Sequence, residues 1–486
     1  MKAIYLPFIF ISLLLCGCKL EDLHEPLESD TCTFEVDFQF SPMGICKAPC
    51  EISFTADASD AITYNWDFGD GNTSTLPNPT HTFMTRGEYQ VQLTAGDSSC
   101  TNTSSRAITI STTTFEKVIE QVDESDLLSV SKVVLANDGG YVLVGNRTKN
   151  NRGEFGFWYK TDLTGELEIE KIFGCCISFI SQPSDIYDVI AIPGNGYAVC
   201  GRMNPFQPGD SRFFVALISD VGGQFWSYMG LENSYGNNVL ATSDGGYLIS
   251  GSSGISPNDK GYLVKLDAAG QEEWSKQINS VDLVESVHQT QDGSLIAFTH
   301  IPGTENSRLF FLDDSGNITD TRDLPGTASF FFSLGNIVYS SGKMTMAEDD
   351  GYLITSRETD VFLRFTSKLR KFDSDGILEW SHSFGTVSLS EIISHDDGTY
   401  SVCGSTRPFD TTQKSNAYLA QLNATGQTNW TEQFGGEESD NGISFLQTDD
   451  GGYFIVGIDR SISLTDAIPG DKGIYLIKTN AEGKVE

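Results

Sequence analysis

The chain has 486 residues, which is too long for one ordinary hydrophobic core, so we expect two or more domains. A hydrophobic content of 39% and an aromatic content of 11% exclude a mainly disordered chain. The formal net charge is −35, from 66 acidic and 31 basic residues, and it opposes binding to nucleic acid and to anionic lipid headgroups. Such an acidic surface keeps an exported protein soluble, and Ca²⁺ binding by some carboxylates is the alternative. No other cofactor is predicted.

The N-terminus has the pattern of an export signal. Lys2 precedes the apolar run "AIYLPFIFISLLLCGC", which predicts a signal peptide over residues 1–18 and is short for a membrane-spanning helix. Residues 19–32 form the predicted tether. The ending "LCGC" resembles a bacterial lipobox and implies a lipid on Cys18, with Cys16 as the alternative. The next residues, "KLEDLHE", resemble the export signal of Bacteroidetes surface lipoproteins. That implies an outer-membrane lipoprotein at the cell surface, with a periplasm-facing anchor as the alternative.

The chain contains ten cysteines, and export to an oxidising compartment allows them to form disulfides. Cys200 and Cys403 each follow apolar strand residues, in "YAVCG" and "YSVCG", which predicts buried free thiols. The state of the adjacent Cys175 and Cys176 stays open. We expect two disulfides in the first folded region, where the spacing leaves the pairing open among Cys32, Cys46, Cys50 and Cys100.

Residues 33–112 predict a small β-sandwich, because short segments such as "CEISFTA" and "GEYQVQLTAG" alternate apolar and polar residues. The motif "WDFGDG" at 66–71, followed by "NPTHTF" from residue 78, resembles the PKD domain. The resemblance implies an immunoglobulin-like sandwich that acts as a spacer or interaction module in exported proteins. We expect Trp66 and Phe68 in the core and Asp67 on the opposite face. His81 is expected to pack and hydrogen bond rather than to catalyse.

Residues 113–486 carry an internal repeat of a turn motif that is typified by "SDGGYLISGS". Its seven copies lie about 50 residues apart and begin at Asn137, Pro193, Ser243, Gln291, Glu348, His395 and Asp449. A second motif, typified by "GYLVKLDAAGQEEW", lies between the copies. Each repeat therefore predicts four strands, and seven such units predict a seven-bladed β-propeller in an all-β protein.

The two ends of this region predict how the ring closes. The last repeat stops where its final strand should continue, and "TTFEKVIEQ" at 113–121 is similar to "EWSKQINS", which begins at Glu273. We predict that this N-terminal strand completes the last blade, so that residues near 115 contact residues near 480. The repeats resemble those of bacterial exported lipoproteins and, more loosely, quinoprotein repeats. This resemblance implies a fold and not an activity.

The Asp-Gly-Gly of the turn motif has three candidate roles. A phosphate cradle would lead into a helix, whereas an apolar strand follows each copy. A Ca²⁺ site needs about six to eight oxygen ligands, and each turn offers only one or two acids. We therefore interpret the motif as a tight hairpin, for which Asp-Gly supplies the positive φ.

Familiar catalytic sets are not evident in the sequence. The histidines lack metal-binding spacing, and no pair among the numerous carboxylates is marked as a glycosidase pair. Cys175 and Cys176 resemble the adjacent cysteines near the cofactor of quinoprotein dehydrogenases, but those enzymes have eight blades. Arginine recurs just after the second strand of five repeats, which predicts a ring that binds a carboxylated or sulfated glycan. Its members are Arg147, Arg202, Arg357, Arg407 and Arg460. Surface salt bridges with nearby acids are the alternative role.

We expect a non-catalytic surface lipoprotein that binds an extracellular polysaccharide or a partner envelope protein. The first alternative is an enzyme, either a glycan-cleaving hydrolase or lyase or a quinoprotein-like oxidoreductase. The second alternative is a structural subunit of an outer-membrane complex. Cleavage of acidic polysaccharides, a cofactor absorbance band and co-purification with membrane partners separate these functions.

Overall fold

In the computed structural model of the protein, the described residues are 35–41, 46–47, 50–58, 61–83, 87–97, 100–111, 114–120, 127–148, 154–173, 184–203, 211–254, 258–333, 336–340, 342–359, 365–406, 414–436, 439–448, 451–460 and 473–485. Their regular secondary structure is all β, and no helix that could cross a membrane occurs among them. The chain folds into two compact units. One is formed mainly by residues 51–82 and 88–108, and the other mainly by residues 109–486.

The strands between residues 37 and 111 form two sheets. The strands are β1 (Asp37–Ser41), β2 (Cys46–Lys47), β3 (Cys50–Asp57), β4 (Thr63–Asp67), β5 (Thr73–Ser74), β6 (Thr80–Phe83), β7 (Gly87–Gly96) and β8 (Thr101–Ser111). One sheet has the order β1-β3-β6, and the other has the order β2-β8-β7-β4-β5. Alternate residues of β3 and β7 are buried, as expected for strands with one face on a core.

The "WDFGDG" motif builds the core of this unit. Trp66 and Phe68 are buried while Asp67 between them is exposed, because successive strand residues point to opposite faces. The His81 ring stacks on Phe68 with centroids 4.1 Å apart, and its Nε2 lies 2.8 Å from Asp70 Oδ2. The predicted packing role of His81 is confirmed.

The described residues of the larger unit form seven four-stranded antiparallel sheets, which we number I to VII in chain order. Sheet I has β10 (Leu127–Leu135), β11 (Tyr141–Thr148), β12 (Glu154–Thr161) and β13 (Leu167–Ile172). Sheet II has β14 (Ser184–Ile192), β15 (Gly196–Met203), β16 (Arg212–Ile218) and β17 (Gln224–Glu232). Sheet III has β18 (Ser234–Ala241), β19 (Tyr247–Ser253), β20 (Lys260–Leu266) and β21 (Glu272–Ile278). Sheet IV has β22 (Ser286–Gln289), β23 (Leu295–His300), β24 (Ser307–Leu312) and β25 (Ile318–Leu324).

A separate hairpin, β26 (Ser329–Ser333) and β27 (Asn336–Ser340), follows sheet IV. Sheet V has β28 (Met344–Met346), β29 (Tyr352–Thr359), β30 (Phe365–Phe372) and β31 (Leu378–Ser383). Sheet VI has β32 (Val387–Ser394), β33 (Tyr400–Thr406), β34 (Ala417–Leu422) and β35 (Thr428–Phe434). Sheet VII has β36 (Ser439–Gln447), β37 (Tyr453–Arg460), β38 (Gly473–Lys478) and β9 (Phe115–Glu120).

The turn motif forms the hairpin between the first and second strands of these sheets. Gly245 has φ +84°, and its N–H donates to the carbonyl oxygen of Thr242 at 2.9 Å, so the interpretation as a tight turn is confirmed. Lys265 on β20 is buried, and its Nζ lies 2.8 Å from Asp244 and 3.0 Å from Glu273. Burial opposes the ionised form of Asp244, but the hydrogen bonds that it accepts, first from Lys265, outweigh burial and lower its pKa to about 2. The acid of the motif therefore ties its turn to the third and fourth strands.

The first strands of the sheets contact one another in chain order, and β36 of sheet VII contacts β10 of sheet I. Strand β9 pairs with β38 in antiparallel register, with Phe115 opposite Lys478 and Glu120 opposite Gly473. The predicted contact between residues near 115 and residues near 480 is confirmed. The last sheet is therefore completed by a strand that precedes the first sheet in the sequence.

A large side chain of each outer strand packs against a glycine of the next sheet, in the turn that follows its third strand. Phe115 takes this place on β9, as the similarity of "TTFEKVIEQ" to "EWSKQINS" predicted. The pairs are Ile169 with Gly222, Trp226 with Gly270, Trp274 with Gly316, Arg322 with Gly376, Trp380 with Gly426, Trp430 with Gly483 and Phe115 with Gly165.

We expect Gly270→Ala to lower the free energy of unfolding by about 2 kcal/mol, because strain at positive φ adds to overpacking. Gly270 has φ +76°, and a Cβ there would lie 2.5 Å from the Trp226 ring. Gly245→Ala is the matched control, since Gly245 also has a positive φ but nothing lies within 4 Å of the added carbon. That control should cost about 1 kcal/mol. Equal urea midpoints for the two variants would contradict the packing role of the glycine.

The described cysteines agree with their predictions. Cys46 and Cys50 form a disulfide, and Cys100 is also disulfide-bonded. Cys200 and Cys403 are buried free thiols, and burial raises the pKa of both. The remaining cysteines, including the predicted lipidation site Cys18 and the pair Cys175 and Cys176, lie outside the described residues.

Candidate functional site

One polar residue lies at the same register in each sheet, on the first strand or, in sheet V, directly before it. This residue lies nine positions before the first large residue of the second strand, which is Leu295 in sheet IV and tyrosine elsewhere. In the strand pairing, the polar residue lies opposite the residue that comes three positions after that tyrosine or leucine. We call this set the inner-strand ring, and its members are Lys132, Asp188, Asn238, Ser286, Lys343, Glu391 and Ser444. In five of the sheets, a β-bulge immediately precedes the ring residue. A bulge re-aims the side chains beside it, which fits the contacts that follow.

Four ring residues accept hydrogen bonds from the backbone of the next sheet, namely Asp188, Asn238, Glu391 and Ser444. Asp188 Oδ2 accepts from the N–H of Val239 at 2.9 Å and from Asn238 Nδ2 at 2.7 Å. Asn238 Oδ1 in turn accepts from the N–H of Val287 at 2.9 Å. In each case the backbone donor is the residue directly after the next ring member, so one geometry repeats from sheet to sheet.

The same geometry joins the last sheets and returns to the first. Glu391 Oε2 accepts from the N–H of Phe445 at 3.1 Å and from Ser444 Oγ at 2.6 Å. Ser444 Oγ accepts from the N–H of Val133 at 3.1 Å, which links sheet VII to sheet I. Ring residues are therefore partly structural, since each such bond satisfies a backbone donor that would otherwise lack a partner.

The two lysines of the ring differ in whether they form an ion pair. Lys132 forms an ion pair with Glu391. Lys343 is exposed, and its ammonium has no ion pair or hydrogen bond among the residues that the structure describes. Burial raises the pKa of the Asp188 carboxyl, although the positive charge of Lys132 opposes the shift. The ring thus holds one cation in an ion pair and one, Lys343, that forms none with the described residues but acts on the Asp188 carboxyl through its charge.

The ring faces a cavity of about 560 Å³. The wall of the cavity includes six ring residues and Arg357. It also includes His288, which lies two residues after Ser286 on β22. His288 Nε2 lies 2.8 Å from Ser286 Oγ, and burial lowers the pKa of His288 to about 4, so the imidazole is neutral at pH 7. The wall is rich in hydroxyl, amide and charged groups, which suits a polar ligand.

The structure describes the side chains of three of the five predicted arginines, Arg147, Arg202 and Arg357. Arg357 lines the cavity. Arg202 binds Asp185, which is buried on the neighbouring first strand, while Arg147 reaches Glu170 on the outer strand of its own sheet. Arg407 lies outside the described residues, and Arg460 ends β37 with its side chain outside them.

Spacing distinguishes Arg147 from Arg202 and Arg357. Arg202 and Arg357 follow the motif tyrosine by five residues, whereas Arg147 follows it by six. Strand residues alternate between faces, so an odd and an even spacing point in opposite directions. Sequence reasoning missed the inner-strand ring, although its constant spacing of nine residues before the motif tyrosine or Leu295 was present in the sequence.

Other chemistry is not evident at this site. Within the described ranges, no group of three or more His, Cys, Asp or Glu side chains could hold a metal ion. The buried thiols of Cys200 and Cys403 lie across from Asp188 and Glu391 in the strand pairing, and their raised pKa keeps them protonated. The geometry therefore favours hydrogen bonding and ion pairing to a ligand.

Comparison with known proteins supports the first unit most directly. Residues 44–112 match the family model of the PKD domain. Collagenase ColA of Bacillus cereus is 47% identical over 53 residues, which is 10% of this chain and 6% of the collagenase. The chain thus spans only a small part of that curated relative, and no activity is transferred from it.

Solved structures resemble the chain at low identity. A quinoprotein alcohol dehydrogenase-like protein from Bacteroides thetaiotaomicron is 10% identical with a TM-score of 0.40, covering 81% of this chain and 94% of that chain. The polysaccharide lyase Uly1 is 10% identical with a TM-score of 0.45, covering 72% and 90%. A periplasmic gluconolactonase from Pseudomonas aeruginosa is 12% identical with a TM-score of 0.42, covering 72% and 99%. These neighbours have propeller-like folds, and their names assign no substrate or reaction to this chain.

Proposed function

We propose that the larger unit is a closed seven-bladed β-propeller in a lipid-anchored surface protein, and that it binds an acidic extracellular polysaccharide without cleaving it. Two contacts support closure, because the β9–β38 pairing and the Ser444–Val133 hydrogen bond both join the last repeat to the first. The lipid anchor on Cys18 and the outer-membrane location rest on the sequence motifs.

The ammonium of Lys343 carries the binding proposal. It is exposed at a 560 Å³ cavity and forms no ion pair with a described side chain, in contrast to Lys132 beside Glu391, although its charge acts on the nearby Asp188 carboxyl. Arg357 of the predicted arginine set lines the same wall. A carboxylate or sulfate group of a polysaccharide complements such a cation through a charge-assisted hydrogen bond. Serine hydroxyls of the wall, such as Ser286 and Ser388, supply partners for sugar hydroxyls.

Replacing Lys343 by Gln is expected to weaken binding to alginate or chondroitin sulfate about tenfold, since a hydrogen bond to a charged group contributes roughly 1.5–3 kcal/mol. Affinity electrophoresis in gels that contain each polymer measures the change. Polymer length should stay constant during incubation, because the proposal includes no cleavage.

Lys276→Gln is the matched control for charge. It removes an ammonium from β21 that donates to Asn317 Oδ1 at 3.2 Å, outside the cavity. Equal loss of retention in both variants would show that net charge alone governs binding, and the proposal would then fail. Specific capture of an envelope protein that is insensitive to Lys343→Gln would favour the partner-protein function instead.

A further inference from the structure

Three of the sheet junctions share an aromatic contact that a fourth lacks. The outer-strand tryptophan of one sheet contacts the motif tyrosine of the next, with ring centroids 5.3–5.8 Å apart. These pairs are Trp226 with Tyr247, Trp380 with Tyr400 and Trp430 with Tyr453. Between sheets III and IV, Trp274 meets Leu295 in place of a tyrosine. Leu295 is smaller than tyrosine, so this junction has space that the others fill.

At the junction of sheets III and IV, a glutamine accepts the hydrogen bond that the motif tyrosine accepts at the junction of sheets I and II. At the junction of sheets I and II, the backbone N–H of Asn137 donates to the Tyr197 hydroxyl at 3.0 Å. At the equivalent point between sheets III and IV, the N–H of Ser243 donates to Gln289 Oε1 at 2.9 Å. The backbone N–H of Ser243 therefore has an acceptor, while the space that a tyrosine ring fills at the other junctions stays open.

A cavity of about 650 Å³ lies at this junction, and we call it the III/IV notch. Partly buried Trp274 and buried Leu295 form its apolar wall. Trp274 Nε1 donates to the carbonyl oxygen of Asp314 at 2.8 Å, which fixes the plane of the indole. One part of the ring packs on Gly316, and the part toward the notch lacks the tyrosine that covers it at the other junctions.

The polar wall of the notch is acidic. Four carboxylates line it, from Asp244, Glu273, Asp292 and Asp314, against the single ammonium of Lys265. That ammonium already binds Asp244 and Glu273. The carboxylate of Asp314 has no hydrogen-bond partner among the described side chains and backbone groups. The notch therefore offers strong acceptors and repels anions.

We propose that the III/IV notch binds one unit of a neutral saccharide. A pyranose ring presents C–H groups on one face, which suit the negative face of an indole, and hydroxyl donors at its edge, which suit the free carboxylate of Asp314. The acidic wall selects against uronic acids and sulfated sugars, so this site differs in ligand class from the Lys343 cavity. It is a second site, and it does not depend on the proposed function.

Leu295→Tyr tests the proposal in the full chain, because six of the seven repeats accommodate tyrosine at this position. The probes are cellotetraose, maltotetraose and mannotetraose, with tetragalacturonate as the acidic counterpart, and the readout is tryptophan fluorescence and calorimetry. We expect at least one neutral probe to bind, Leu295→Tyr to weaken it at least tenfold, and tetragalacturonate to bind no more weakly to this variant than to the original protein. Thermal unfolding checks that the variant is folded.

Two further variants make the outcome decisive. Asp314→Asn keeps the backbone acceptor of Trp274 and should weaken the neutral probe about fivefold, whereas Lys343→Gln should leave its affinity unchanged. Absence of binding by all three neutral probes at 10 mM (roughly the weakest useful affinity for a small ligand) overturns the proposal. Unaltered affinity for the neutral probe in both Leu295→Tyr and Asp314→Asn also overturns it. Binding of a partner protein that inserts an aromatic side chain into the notch, with no sugar binding, overturns it as well. Loss of acidic-polymer binding in Lys343→Gln alone concerns the other cavity.

Discussion

A chain truncated to residues 121–486 will unfold at a lower temperature and less cooperatively than a chain truncated to residues 113–486. The shorter chain lacks β9, which pairs with β38 along its whole length. Its loss exposes the backbone edge of β38, whose residues are all buried, and invites edge-to-edge association. Phe115 and Ile119 also leave the hydrophobic cluster that joins sheets VII and I, and Val118 leaves the neighbouring cluster. Burial of three such side chains contributes about 5 kcal/mol.

Differential scanning calorimetry and size-exclusion chromatography measure this effect on the two truncated chains. The 113–486 chain is the matched control, because it loses the PKD domain and keeps β9. A substitution in the longer chain, Phe115→Ala, should fall between the two, since it removes the contact with Gly165 and leaves the strand paired. The role of β9 would be refuted by equal unfolding temperatures and equal monomer content in the two chains.

Glu391→Ala is expected to lower the free energy of unfolding by about 2 kcal/mol, less than the loss of a fully buried ion pair, because the Lys132 side chain is 32% exposed. The substitution leaves Lys132 without its carboxylate and removes the acceptor of the Phe445 N–H and the Ser444 hydroxyl. Both losses fall at the first strands, where sheets VI, VII and I meet. Urea denaturation monitored by tryptophan fluorescence measures the change.

Glu391→Gln separates the two causes. Glutamine keeps a carbonyl oxygen for Phe445 and Ser444 but carries no charge for Lys132, so we expect a loss of about 1–2 kcal/mol. Adding Lys132→Met to Glu391→Ala should restore part of the stability, because the unpaired ammonium is then absent. If Ala and Gln variants unfold at the same urea concentration as the original protein, the inner-strand ring does not hold these sheets together.

Local patterns in the sequence predicted most of the strands. Alternation of apolar residues, Asp-Gly turns and the seven recurrences at even spacing depend on neighbours within about ten residues. They predicted the hairpin at Gly245, the burial of Trp66 and the pairing of β9 near residue 480, all of which are confirmed. The pairing of β9 joins residues that are far apart in the chain. It could be predicted because Phe115 occupies a position that tryptophan fills in other repeats.

The candidate site was harder to predict from the sequence. The arginines recur at one place in the repeats but do not all share a face of the strand, because the six-residue spacing of Arg147 reverses its direction relative to Arg202 and Arg357. The inner-strand ring varies among Lys, Asp, Asn, Ser and Glu, so no motif of residue type marks it. Four of its members accept hydrogen bonds from the backbone of the next sheet, and those contacts form only once the sheets are side by side.

The all-β class, the PKD domain, the number of turn motifs and the strand that completes the last sheet follow from the amino-acid sequence, because each depends on periodicity or on similarity between repeats. Which charges are paired depends on the three-dimensional fold. Lys132 and Glu391 are separated by more than half the chain and meet across the first strands, while Lys343 forms no ion pair with the described residues. Likewise, Leu295 became a candidate binding feature only beside Trp274 of the preceding sheet. Neutralisation and cavity volume depend on distances between repeats, and those distances follow from packing rather than from local sequence.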